Sequence, residues 1–195
     1  MDIFLYNFNF IWFNSFLAFI AVVFGWLMLK PYNKYVRMFF GLIWLLFLPN
    51  TIYILTDISH LIEDWPKVDI FFKSVLIVQY GLFSLFGILT FVISVYFFQS
   101  LLEGKTRKNK KMKTSTLMTI CILNFLVGLG VIMGGIERTN SWYVLTNPAR
   151  VIEDVIDVLT SQELLLLAFG VGILANIIYF LMLENVEKGL KKYFK

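Results

Sequence analysis

The chain has very little of what soluble enzymes and metal scaffolds need. Its single cysteine, Cys121, excludes a disulfide framework and a cysteine-rich metal motif. Its single histidine, His60, means that any metal site would be rich in oxygen ligands and unlike a typical zinc site. Only 15% of the residues are charged, whereas about a quarter are charged in an average soluble domain. These shortages argue against a water-soluble protein.

Apolar residues are abundant instead. They make up 59% of the 195 residues, 18% are aromatic, and the mean hydropathy is +0.78. The charged residues are clustered, which leaves long apolar runs between them. The first run is too long for a signal-peptide core and has no basic residues ahead of it, so we expect it to stay as a helix.

Five segments are long enough to cross a bilayer, which takes about 20 mostly apolar residues. They are residues 8–29, 38–55, 70–98, 116–136 and 164–183. The sequence therefore predicts an all-α integral membrane protein, with one membrane domain over residues 1–195 built as a bundle of five transmembrane helices.

The basic residues predict the orientation of this bundle. Thirteen of the 17 lysines and arginines fall in the segments 30–37, 105–113 and 188–195, which five alternating spans place on one side. By the positive-inside rule that side is cytoplasmic. We expect a multi-pass protein of the cell membrane with its N-terminus outside and its C-terminus in the cytoplasm. The run 105–113 could also attract anionic lipid headgroups, but it is better explained by topology than by nucleic-acid binding.

The long segment between the fourth and fifth spans predicts one more helix. Asn147 followed by Pro148 is a typical helix start, a capping residue and then proline at the first position. The apolar face comprises Val151, Ile152, Val155, Ile156 and Leu159, and the opposite face Glu153, Asp154 and Asp157. We expect a short amphipathic helix on the outer membrane surface or over the bundle, either covering helix ends or serving as a substrate lid.

A polar stripe runs along the second span where it should leave the membrane. Its members are spaced by three or four residues and so share one helical face: Asn50, Tyr53, Asp57, His60 and Asp64. Gln79 and Tyr80 of the third span fall at a similar depth. Intramembrane polar residues need a partner or a purpose, so the sequence predicts a polar site in the outer half of the membrane.

Two further features concern helix packing. Pro49 lacks an N–H group and is expected to kink or break the second span. The glycines of the fourth span leave part of the helix surface without side chains, which favours close approach of neighbouring helices. They are Gly128, Gly130, Gly134 and Gly135.

Two motifs carry a family resemblance. Pro49-Asn50-Thr51-Ile52-Tyr53, followed by Thr56-Asp57-Ile58-Ser59-His60-Leu61, resembles the signature P-N-x-x-Y-x-x-T-D-x-x-H-L of a bacterial membrane-protein family called domain of unknown function 1361. Glu137-Arg138-Thr139-Asn140-Ser141-Trp142, with Asn147-Pro148 after it, resembles that family's second signature, R-x-N-S-W-D followed by N-P. Here Glu137 replaces the usual glycine and Tyr143 the usual aspartate, so Glu137 is a candidate substitute for that carboxylate. The resemblance implies an architecture and a choice of residues, with no activity attached.

The first functional hypothesis is an enzyme that acts at the outer leaflet on a lipid, a lipid-linked molecule or a lipoprotein. His60 would be the general base, Asp57 its orienting carboxylate, Arg138 a clamp for an anion and Ser141 a nucleophile. The sequence has no G-x-S-x-G motif to support the nucleophile. The expected substrate contacts are Asn50, Tyr53, Thr56, Tyr80, Glu137, Asn140 and Trp142.

Other hypotheses stay open at this point. A metal version of the enzyme would use Asp57, His60 and Glu137 as ligands. A small transporter or channel component would line a path with polar residues of the second and third spans, and an assembly factor would use them for helix packing alone. Membrane lipids are the expected partners, and the sequence indicates neither a particular cofactor nor an oligomeric state.

Overall fold

Helices are the only regular secondary structure in the residues that the computed structural model describes, 2–104 and 112–191, and turns and loops join them. Residues 105–111 of the basic run and 192–195 of the tail lie outside the described residues. The α-helices are α1 (Asp2–Leu27), α2 (Lys34–Phe47), α3 (Pro49–Thr56), α4 (Ile58–Asp64), α5 (Ile70–Glu103), α6 (Thr114–Gly135), α7 (Tyr143–Thr146), α8 (Pro148–Thr160) and α9 (Gln162–Lys191). A short 3-10 turn, Trp65–Lys67, follows α4.

Five helical stretches are long and apolar enough to cross a membrane, which confirms the predicted fold class. They are Asn7–Leu27, Lys34–Lys67, Ile70–Glu103, Thr114–Gly135 and Gln162–Leu190. Each of the five predicted spans falls on one of them. Several helices extend past the predicted limits, because a helix continues beyond its apolar stretch for as long as its backbone hydrogen bonds are satisfied.

The second span consists of three consecutive helices, α2, α3 and α4. The predicted break at Pro49 is confirmed: α2 ends at Phe47 and α3 begins at Pro49. Side chains supply donors to the carbonyls beside the break. Asn50 Nδ2 lies 3.2 Å from the carbonyl oxygen of Phe47, and Ser141 Oγ lies 2.9 Å from that of Leu46. A second interruption at Asp57, between α3 and α4, was not expected.

Glycines allow α3 and α6 to approach their neighbours closely. A Cβ atom on Gly87 of α5 would lie 2.8 Å from the carbonyl oxygen of Thr51, and one on Gly130 of α6 would lie 2.5 Å from the ring of Pro49. A Cβ on Gly128 would lie 2.2 Å from the carbonyl oxygen of Ala168 in α9. The expected close packing through the fourth span is therefore present, and it holds α3 between α5 and α6.

The half of the bundle that contains α2 is densely packed. Trp44, Phe91, Leu123 and Tyr179 belong to one buried apolar cluster that joins α2, α5, α6 and α9. Polar side chains at this depth bond to one another: Asn124 Nδ2 donates to Asn176 Oδ1 at 3.0 Å, Trp44 Nε1 to Ser94 Oγ at 2.7 Å, and the Tyr179 hydroxyl to Gln99 Oε1. This half is a conventional membrane-protein core.

The predicted amphipathic helix is α8, and Asn147 caps it by accepting a hydrogen bond from the Arg150 backbone N–H. Its apolar residues divide between two surroundings. Val158 is buried against α6 and α9, whereas Ile152 and Ile156 remain exposed. Asp154, expected on the polar outer face, is instead buried, because donors from the preceding loop reach it.

Candidate functional site

A cavity of about 600 Å³ lies in the half of the bundle that holds α3 and α8. Helices α1, α2, α3, α6 and α8 surround it, together with the loop that follows α6. Volumes of this size are typical of sites for small organic ligands and lipid fragments. The cavity is the main candidate for a functional site.

Most of the cavity wall is apolar. Helix α1 contributes Phe10, Phe13 and Leu17, and α8 contributes Val151, Val155 and Val158. The remaining apolar side chains come from α2, α3, α6, α7 and the end of α8: Leu45, Leu46, Pro49, Leu126, Val127, Leu129, Met133, Val144 and Leu159. Such a wall suits a hydrocarbon chain better than a hydrated solute.

A few uncharged polar side chains also line the cavity, Asn14 of α1 and Thr139 among them. Asn50 and Tyr53 of α3 line it together with Asn140 and Ser141 of the loop after α6. Asn50 Nδ2 donates to Ser141 Oγ at 3.2 Å, which links the two predicted family motifs directly. The residues that line the cavity include no aspartate, glutamate, lysine, arginine or histidine.

The loop after α6 is folded back by a sharp turn at Arg138. This residue has a φ of 55°, in the left-handed region that non-glycine residues seldom adopt. The turn is stabilised by the Thr139 backbone N–H, which donates to the carbonyl oxygen of Met133 at 3.0 Å. It directs residues 139–142 over the cavity and leaves the Arg138 side chain exposed.

A buried carboxyl group fastens this loop to α8. Asp154 accepts a hydrogen bond from the Thr139 hydroxyl, and Arg150 Nε lies 3.6 Å from the same carboxyl oxygen. Arg150 also donates to the carbonyl oxygen of Glu137 at 3.1 Å, and its guanidinium lies 5.0 Å from the centre of the Tyr143 ring. Loop and helix are therefore joined, and together they cover one side of the cavity.

Two asparagines of α1 were missed by the sequence interpretation. Asn14 Nδ2 donates to the Asp57 carboxyl at 3.0 Å, and Asn7 Nδ2 donates to the Asp64 carboxyl at 3.1 Å. The two asparagines are seven residues apart in the chain, and so are the two aspartates. Seven residues make about two helical turns, so the two hydrogen-bonded pairs are in register across the interface. That shared spacing is the signal in the sequence that could have found them.

The structure separates the residues of the predicted catalytic set. The Asp57 carboxyl is buried against Asn14, while His60 is exposed, with Nδ1 3.4 Å from a Glu63 carboxyl oxygen. Ser141 donates its hydroxyl proton to the backbone of α2. Among the described residues these three side chains thus have three different partners, and no Ser-His-Asp arrangement is formed.

The remaining predicted residues fall into two groups. Trp142 lines the cavity, and its indole makes an edge contact with Phe13 at 6.3 Å between ring centres. Outside the cavity, Tyr80 is buried in a cluster with Ile54 and Phe83. Thr56 is exposed and donates its hydroxyl to the carbonyl oxygen of Tyr53.

Glu137 and Arg138 lie at the turn above the cavity and do not line it. Arg138 is close enough to interact electrostatically with the Tyr53 hydroxyl. Within residues 2–104 and 112–191 there is no group of three or more histidine, cysteine, aspartate or glutamate side chains placed to hold a metal ion. The ligand set proposed for a metal version of the site is therefore not assembled there.

Comparison with known proteins identifies a family. No curated protein and no solved structure matches the chain. A family model described as "Protein of unknown function (DUF1361)" matches residues 13–178. This range includes both motifs and most of the five spans, so the chain belongs to the DUF1361 family.

Proposed function

We propose that this protein binds a membrane lipid or the lipid part of a lipid-linked molecule in the cavity between α1, α3, α6 and α8. One observation carries the proposal: a cavity of about 600 Å³ has a mostly apolar wall with a few uncharged polar groups, two of which, Asn50 and Ser141, bond to each other. The hydrocarbon chain would pack on the valines and leucines, and the polar part would meet Asn50, Tyr53 and Asn140. Such a site combines apolar walls with a few placed polar groups.

The surroundings of the cavity support entry of the ligand from the bilayer. Helix α1 packs mainly on α2, α3 and α5, so the side of the cavity between α1 and α8 is lined by side chains that are partly exposed. Phe13 is 49% exposed and Leu159 is 50% exposed, both in apolar surroundings where lipid is the expected neighbour. A lipid entering there would not have to cross water.

The geometry favours binding over acyl transfer. A serine nucleophile needs a base within hydrogen-bond reach, whereas the Ser141 hydroxyl bonds to Asn50 and to the carbonyl of Leu46. The proposal therefore assigns Ser141 to holding the loop on α2. A reaction on the bound lipid or lipoprotein would have to use groups at the rim, such as Arg138.

The geometry also favours binding over transport. A transporter needs a polar path that can open toward both sides of the membrane. On the far side of the cavity, the amides of Asn124, which is fully buried, and Asn176 bond to each other. We place the cavity in the extracytoplasmic half, since the basic segments sit at the opposite helix ends.

The proposal predicts that filling the cavity displaces its lipid. Gly134 lines the cavity, and a Cβ there would be 3.9 Å from its nearest neighbour, the Thr139 carbonyl oxygen. Gly134→Leu should therefore fold and project its side chain into the ligand space. Native mass spectrometry after mild detergent extraction should show lipid bound to the wild-type protein, and about tenfold less on the variant, an overpacking cost of about 1–3 kcal/mol.

Gly81→Leu is the matched control. Gly81 is exposed on α5, away from the cavity, and a Cβ there meets nothing within 4 Å. This variant should retain lipid at the wild-type level. Equal lipid retention by both variants, or a wild-type protein that retains none, would count against the proposed function.

A further inference from the structure

The hydrogen-bonding groups left over in the cavity indicate what kind of polar group the ligand carries. Several polar side chains there already have protein partners: Asn14 donates to Asp57, Thr139 to Asp154 and Ser141 to Leu46. The hydroxyl protons of Thr139 and Ser141 are therefore not available to a ligand in this conformation, and Asn14 keeps one amide N–H and its Oδ1.

Other polar groups in the cavity wall have no protein partner among the described residues. Asn50 uses only its Nδ2 atom, which bonds to Phe47 and Ser141, and leaves Oδ1 as an open acceptor. The Asn140 carboxamide and the Tyr53 hydroxyl have no hydrogen bond to another part of the described chain, and both residues line the cavity. Together they offer donors and acceptors side by side.

None of these cavity-lining groups carries a charge. No lining residue is ionisable near neutral pH, since tyrosine titrates only near pH 10. Arg138 lies at the turn above the cavity, close enough to interact with the Tyr53 hydroxyl, but it does not line the cavity. A phosphate buried among the lining residues would therefore lose its hydration without an arginine or lysine in the cavity wall, which is costly. A hydroxyl or amide group, which both donates and accepts, matches the open groups without that cost.

We infer that the cavity takes a lipid whose buried polar group is uncharged and carries hydroxyl or amide groups, such as a diacylglycerol or a ceramide-like lipid, in preference to an anionic phospholipid. This inference rests on the proposed function, because it specifies the ligand of the same cavity. Asn140 and Tyr53 are the residues that make the distinction, and Asn50 Oδ1 accepts a hydrogen bond from the ligand.

Tryptophan fluorescence provides the test, because Trp142 lines the cavity and brominated acyl chains quench a tryptophan that they contact. The protein would be placed in nanodiscs of unbrominated lipid, to which a small fraction of brominated diacylglycerol or brominated phosphatidylglycerol is added. The part of the quenching that disappears in Trp142→Phe comes from Trp142, which is 38% exposed. The share of it that Gly134→Leu also removes reports the cavity. Diacylglycerol should quench at about tenfold lower concentration than phosphatidylglycerol, the ratio for one or two hydrogen bonds.

Two variants test whether the preference for diacylglycerol depends on the unpaired groups of Tyr53 and Asn140. Tyr53→Phe and Asn140→Leu should each reduce the advantage of diacylglycerol at least about threefold, since each removes about one hydrogen bond. Tyr96→Phe, which removes a hydroxyl from α5 outside the cavity, should leave the advantage unchanged. Equal quenching by the two lipids would overturn this inference while leaving lipid binding intact. Loss of all Trp142-dependent quenching would overturn lipid binding as well.

Discussion

Replacing Gly128 with alanine is expected to destabilise the protein more than any other single methyl addition in the fourth span. The added Cβ would lie 2.2 Å from the carbonyl oxygen of Ala168 and 2.8 Å from the backbone nitrogen of Gly172. Both contacts are with backbone, so α6 and α9 have to separate. Overpacking of this kind costs about 3 kcal/mol, which corresponds to a fall in melting temperature of about 6–12 °C.

Thermal unfolding of the purified protein in detergent would measure this effect, with Gly170→Ala as the control. Gly170 lies on the same helix α9, is exposed, and offers an added Cβ open space within 4 Å. Its replacement should leave the melting temperature unchanged or slightly raised, because alanine is the better helix former. Equal melting temperatures for the two variants would contradict the close contact between α6 and α9.

Replacing Asn14 with leucine is the second change with a large expected effect. Asp57 is 2% exposed, and Asn14 is the side chain that donates to its carboxyl group. Removing that donor leaves a buried carboxyl without a partner, which costs about 3 kcal/mol. The melting temperature should fall accordingly, by about 6–12 °C.

The equivalent substitution two turns away gives an internal comparison. Asp64 would still have Lys67 after Asn7→Leu, since the ammonium lies 2.8 Å from its other carboxyl oxygen. Asn7→Leu should therefore cost less than Asn14→Leu. In a double-mutant cycle, Asp57→Leu should recover at least about 1 kcal/mol in the Asn14→Leu background. Additive losses would show that the amide and the carboxyl are not coupled.

The membrane architecture could be predicted from the sequence because the thickness of the bilayer sets the length of apolar helix that each span needs. A helix must hold about 20 apolar residues across the hydrocarbon region, and the chain supplies five such runs. The break at Pro49 was also predictable, because proline removes a specific backbone donor. The start of α8 at Pro148 followed from the capping signal in Asn147.

The candidate site could be predicted only in part. Asn50, Tyr53, Asn140, Ser141 and Trp142 were expected at the site, and all of them line the cavity. Helical spacing also placed Asp57 and His60 on one face, but the interruption of the helix at Asp57 separates their surroundings. Spacing along one helix does not reveal which neighbouring helix supplies the partner.

Neither the contact of Asn14 in α1 with Asp57 nor the burial of Asp154 was predicted, and the physical reason is the same for both. Asn14 appears as one polar residue in an apolar helix until α3 is packed against it. Asp154 looked solvent-facing because helical periodicity cannot anticipate donors from a loop that folds back. Contacts between distant segments depend on packing, which a single sequence pattern does not contain.

A crystal structure grown from a lipid mesophase would test lipid binding most directly. We predict elongated density in the cavity, with its apolar part against Val155 and Leu126 and its polar end within about 3.5 Å of Asn50 Oδ1 or the Asn140 carboxamide. In Gly134→Leu crystals this density should be absent while the helices keep their positions. A wild-type cavity that is filled by protein side chains, or that holds only ordered water, would contradict lipid binding at this site.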